Sequence, residues 1–130
     1  MTDLAQTALD FCRECLGWER PMNRRFAETS RNATGDGPSL AWTPYIFDFY
    51  GKHPQFHYTD LSAVMAAVKA CRDQTQEALD EYVTVTLSCA SGEFIGHAFV
   101  GGGKPTTSTS SDPCHALMAA CVEAQRSLRA

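Results

Sequence analysis

No apolar run in this chain approaches the roughly 20 residues that span a bilayer, which excludes a transmembrane helix. Basic excess is lacking as well. The formal charge is −4, so nucleic acid and anionic membrane surfaces exert no general attraction. The start, Met1-Thr2-Asp3-Leu4, carries neither a basic nor an apolar stretch, so no secretory signal is expected and the protein reads as cytoplasmic. No internal repeat is visible. A Walker A loop is missing too: Ala98 stands where its first glycine belongs, six residues before Lys104, and Pro105 replaces its hydroxyl residue. P-loop nucleotide hydrolysis is thereby excluded.

Cysteine, by contrast, is plentiful, with six residues. Cys12, Cys15, Cys71, Cys114 and Cys121 fall in predicted helices among alanines and leucines, where a thiol acts as a small buried hydrophobe. Cys89 lies near a predicted strand end. A reducing compartment disfavours disulfides. Cys12-x-x-Cys15 is half of a zinc motif whose second half is absent, although Cys114-His115 could supply ligands on paper. Buried free thiols are expected, with no metal and no cofactor.

The 130 residues suit one domain with one core. Leu4, Ala8, Phe11, Cys12, Cys15 and Leu16 have helical spacing over residues 3–16, with Thr2 or Asp3 as cap and Gly17 as stop. Residues 18–26 suggest a strand that Pro21 restricts to a sheet edge. Residues 30–39 are rich in turn formers. The aromatic segment 41–50 suggests an irregular strand, and 51–58 a second loop. Thr59-Asp60 opens a helix at Leu61 that runs to about Asp73 or to Leu79, with a stripe of Leu61, Val64, Met65, Val68 and Cys71. Residues 81–89 alternate between apolar and hydroxyl side chains, the signature of a half-buried strand. Ala90-Ser91-Gly92 turns into a second strand, 93–100. Residues 101–112 form a glycine- and hydroxyl-rich loop before a final helix, Cys114 to Leu128, with a stripe of Ala116, Leu117, Ala120, Cys121, Ala124 and Leu128. The fold class is α+β: a small, mainly antiparallel sheet with three helices packed on it.

Chemistry is suggested in one region. Gly101-Gly102-Gly103-Lys104 lets a phosphate approach the backbone, and Lys104 offers charge. Thr106, Thr107 and Ser108 add hydroxyl donors, and the start of the last helix adds free N–H groups. The competing account is a flexible surface linker. Arg24 and Arg25 could make bidentate phosphate contacts, or be solvated. Being adjacent, only one of them could enter a given site from a strand. Trp42 is the residue of the aromatic segment best placed to stack on a base; the others suit a core. His97 and His115 flank the loop and either could act as a general base, but no catalytic constellation accompanies them.

Leu16-Gly17-Trp18, the Trp42-x-Pro44 pair, the helix start Thr59-Asp60-Leu61, the hairpin and Asp112-Pro113-Cys114-His115-Ala116 before an alanine-rich helix together resemble small phage proteins of the phage ABA-sandwich type. The resemblance spans most of the chain. It implies an α/β sandwich and a phage or prophage origin, which would place the protein in the host cytoplasm, and it assigns no catalytic residues. Small phage proteins often counter host defence, some by sequestering nucleotide signals. The expected function is therefore a non-enzymatic, oligomeric sponge for an anionic nucleotide-like molecule. Its site would comprise Lys104, Thr106, Thr107, Ser108, Arg24, Arg25, Trp42, His97 and His115. The alternatives are a protein-binding inhibitor acting through residues 42–50 and a small phosphodiesterase-like enzyme.

Overall fold

The Asp3 carboxylate accepts a hydrogen bond from the Gln6 N–H at 2.7 Å and so starts the first helix, α1 (Leu4–Asp10). A computed structural model describes residues 3–24, 44–101 and 105–129. The helix continues as one wide π turn, Phe11–Cys15, closed by Leu16 N–H to the Phe11 carbonyl at 3.1 Å. A π turn rotates the following side chains relative to an α-helix. Here Ala8, Phe11, Cys12 and Cys15 are all buried. Gly17, at φ 75°, then reverses the chain, as only glycine does without strain.

β1 (Pro21–Arg24) pairs antiparallel with β2 (Tyr45–Asp48), Met22 opposite Phe47. Pro21 takes the first position of its strand, as its missing N–H requires. Ile46, fully buried, also bridges to Phe56 in the following loop. Asp48 is one of two buried polar residues among those described. Its carboxylate accepts from the Tyr50 N–H at 3.1 Å and the Lys52 N–H at 2.8 Å, which replaces its lost hydration.

α2 (Leu61–Leu79) takes the longer of the two expected lengths and ends at Asp80, in the left-handed region. Val64, Val68 and Cys71 are buried, whereas Met65 is 53% exposed. The apolar stripe is thus narrower than the sequence suggests, and Met65 does not belong to it. α2 is followed by β3 (Val83–Ala90) and β4 (Glu93–Val100), joined at Ser91-Gly92. Both turn residues have positive φ, which matches the twist of a two-residue hairpin.

The expected loop 101–112 is corrected by the structure. Thr106–Ser110 forms a strand, β5, antiparallel to β4, with His97 opposite Thr107. The described residues thus form two small antiparallel sheets, β1-β2 and β3-β4-β5, where one was expected. The α+β class itself holds. α3 (Pro113–Arg129) lies against β4 at Gly96, where a Cβ would run into the Ala116 carbonyl. That contact orients the sheet. Phe94, Ala98 and Val100 share the helix side with Gly96, while Ile95, His97 and Phe99 point away from it. Leu117, Met118, Cys121 and Val122 of α3 join Ala8, Phe11, Val64 and Ile46 in one core, whereas Leu128 is exposed. Among the described residues no helix is long and apolar enough to cross a membrane.

Candidate functional site

α1, β5 and α3 enclose a cleft of about 410 Å³. α1 contributes Thr7 and Asp10, β5 contributes Ser108 to Ser110, and α3 contributes His115, Glu123 and Arg126. Thr7 is only 4% exposed. Its hydroxyl meets His115 Nε2 at 3.0 Å, so the imidazole is held across the helix–helix contact with its ring edge in the cleft. This pair joins residues 108 positions apart.

Arg126 crosses one wall. It donates from Nε to Glu14 Oε1 at 2.9 Å and from Nη2 to Glu14 Oε2 at 2.7 Å, a bidentate pair. Asp10 lies at 3.4 Å and Glu123 at 3.5 Å. The Glu14 bond raises the guanidinium pKa, with further support from Asp10 and Glu123. Its charge is therefore matched already. Glu93 adds another carboxylate to the lining. Among the described lining residues, Asp10, Glu93 and Glu123 face the single cation Arg126, so the local field is negative.

The start of α3 offers no open anion site. Asp112 Oδ1 accepts from the Cys114 N–H at 2.8 Å and the His115 N–H at 3.3 Å, and its carbonyl accepts from the Ala116 N–H at 3.0 Å. Pro113 has no N–H to offer. The free N–H groups expected there are occupied by the protein's own carboxylate.

The members of the expected site that lie among the described residues do not all converge. Ser108 and His115 share the cleft. His97 and Thr107 are paired on the sheet face that points away from α3, where His97 Nε2 meets Ser88 Oγ at 3.3 Å. Thr106 lines a separate groove with Pro105 and Ser127. Arg24 belongs to the two-stranded sheet, 5.9 Å from the Phe47 ring centroid. Lys104, Arg25 and Trp42 lie outside the described residues. A strand separates what a loop could have gathered, because neighbouring residues of β5 face opposite sides. Thr7, Asp10 and Arg126, which sequence reasoning missed, carry no motif. Only the packing of α1 on α3 reveals them.

Each of these histidines has a hydroxyl neighbour, part of the constellation that activates a nucleophile. A carboxylate orienting the other ring nitrogen is not among the hydrogen bonds of the described residues. Nor does any group of three or more His, Cys, Asp or Glu among them have an arrangement that could hold a metal ion. The chain matches no protein-family model, no curated protein and no solved structure.

Proposed function

We propose that the protein is a non-enzymatic binding protein that takes a small polar molecule into the cleft between α1, β5 and α3. The observation that supports this most is the convergence of Thr7, Ser108, Ser110 and His115 on one 410 Å³ space with a carboxylate-rich wall. Hydroxyls and an imidazole both donate and accept, so they suit a ligand bearing hydroxyls or amines. Asp10, Glu93 and Glu123 favour a neutral or cationic one.

A sponge for an anionic nucleotide-like signal, acting in the cytoplasm of a phage-infected host, is the competing form of a binding function. It requires cations that outweigh the carboxylates, and Lys104 and Arg25 are the sequence's candidates. Thermal shift against a polyamine, a neutral nucleoside, and cyclic and linear nucleotides tests both forms. Stabilisation by the polyamine or nucleoside, weakened about fivefold in affinity by Glu93→Gln or Ser108→Ala, supports the cleft. Stabilisation by a nucleotide, lost in Lys104→Ala, supports the sponge. No shift with any of them overturns both.

A second reading rests on Phe49 and Tyr50. These neighbours are 51% and 52% exposed, with ring centroids 5.3 Å apart, and Arg20 lies 4.1 Å over Phe49. Exposed aromatics beside arginine are the usual anchors of a protein interface. This favours a host-protein inhibitor acting through that corner. Phe49→Ala with Tyr50→Ala should abolish capture of such a partner and leave ligand stabilisation unchanged.

A further inference from the structure

α2 and β3 lie side by side without closing on each other, and the groove between them holds about 420 Å³. Val68 and the α3 residue Leu117, both buried, form its floor. The partly buried Val85 and Leu87 make one wall, and the exposed Met65 stands at the rim. No carboxylate lines this groove, whereas Lys69 and Arg72 do. Both reach the same partner, Asp73, at 3.2 Å and 2.6 Å. Two cations share one carboxylate, so the mouth of the groove keeps a surplus of positive charge.

β3 is also an open sheet edge. The Gly101 N–H donates to the Tyr82 carbonyl at 2.7 Å, which makes Tyr82 and Gly101 a hydrogen-bonded pair at the end of the β3–β4 ladder. Such pairs alternate along an antiparallel ladder. Thr84, Thr86 and Ser88 therefore direct their N–H and C=O groups to β4, and Val83, Val85, Leu87 and Cys89 aim theirs outward. Val83 shows the direction, since its N–H donates to the Gln76 side chain of α2 at 3.1 Å. Beyond it, no described strand pairs with that side of β3. The strand has no proline, no charged residue and no bulge, the devices that normally blunt an edge. Its outward backbone groups and its groove-facing side chains belong to the same residues, Val85 and Leu87.

We propose that this edge takes up an extended peptide of a partner protein. The peptide adds an antiparallel strand beside Val85 and Leu87, sets alternate apolar side chains into the groove and brings an acidic one to Lys69 and Arg72. Main-chain hydrogen bonds hold it, and the groove selects its side chains. A second copy of this chain fits less well. Pairing β3 with β3 about a two-fold axis puts both α2 helices on one face of the joined sheet, with Lys69 and Arg72 of each copy turned toward those of the other. An acidic strand meets that charge instead of repeating it. The inference rests on neither the cleft nor the Phe49–Tyr50 corner.

The probe is a blocked, fluorescein-labelled peptide of about seven residues, with valine, leucine, valine and glutamate at alternate positions and threonine between them. It should bind the full chain in an anisotropy titration, and Lys69→Glu, a change at an exposed side chain, should weaken it about fivefold. The same peptide N-methylated at its leucine and second valine keeps every side chain and should bind about tenfold more weakly. Amide exchange by NMR locates the added strand. In the free protein the Val85 and Leu87 amides should exchange faster than those of Thr84 and Thr86, and saturating peptide should slow Val85 and Leu87. No binding, or affinity unchanged by Lys69→Glu, overturns the proposal. So does binding that leaves those two amides fast or that tolerates N-methylation, since the groove then takes side chains alone. Val85 and Leu87 amides already slow without peptide overturn it as well, and slowing that grows with protein concentration gives the edge to a second copy.

Discussion

Gly96 is the position with the least freedom in the three-stranded sheet. A methyl group there meets the Ala116 carbonyl, a backbone atom that cannot rotate away. Gly96→Ala should lower stability by about 1–3 kcal/mol, the usual cost of overpacking, read as a drop in urea midpoint at unchanged slope. Asp48 poses the opposite problem: it is a buried charge that two backbone donors satisfy. Asp48→Ala leaves the Tyr50 and Lys52 N–H groups without that partner and should cost about 1–3 kcal/mol in the same measurement. The buried thiols give an alkaline signature. Burial raises the folded pKa of Cys12 to about 12 and of Cys114 to about 11, and it raises Cys121 too. The unfolded chain releases those protons near pH 9. Between pH 9 and the folded pKa the unfolded state therefore binds fewer protons, and stability falls as pH rises, by about 1.4 kcal/mol per pH unit per thiol. Cys121→Ala should show a shallower decline over pH 9–11 than the parent, whatever its stability at pH 7.

At the scale of elements, Asp112 holds the start of α3. Asp112→Ala should cost about 1 kcal/mol for the lost cap. It should also uncover the Cys114 and His115 N–H groups, so that sulfate, inert toward the parent, stabilises the variant in a thermal melt. Elements whose causes are local were legible in the sequence. Asp60 announces α2, and Ser91-Gly92 announces the hairpin. β5 was not legible. Thr106–Ser110 has the composition of a linker, and what makes it a strand is the free edge of β4, a partner outside any local window. Its threonines are β-branched, which suits a pleated edge once that partner exists. The end of α2 was ambiguous because Asp80 enters the left-handed region without the glycine that usually marks such a stop.

Across the whole molecule, the cleft was illegible for the same reason at longer range. His115 finds Thr7, and Arg126 finds Glu14 over a separation of 112 residues, through the packing of α3 on the first helix. No spacing rule connects such residues. The arginine network is half-exposed, so Arg126→Ala should change stability by no more than about 1 kcal/mol. The same change takes away the one cation among the described lining residues, which lies 3.4 Å from Asp10 and 3.5 Å from Glu123. Binding of a cationic probe in the cleft should then tighten, and titration calorimetry at low salt would measure it.

α3 fills the space that α1, α2 and both β4 and β5 leave between them, and it follows all of them in the chain. A ribosome releases the first helix long before the segment it packs on. Until residues 113–129 emerge, Phe11, Val64 and the helix-facing side of β4 have no cover, and the nascent chain presents them to whatever chaperones surround the exit tunnel. A chain stopped at Asp112 should lack a cooperative thermal transition by circular dichroism. The emergence of α3, more than the formation of any early element, would then set when residues 3–129 fold.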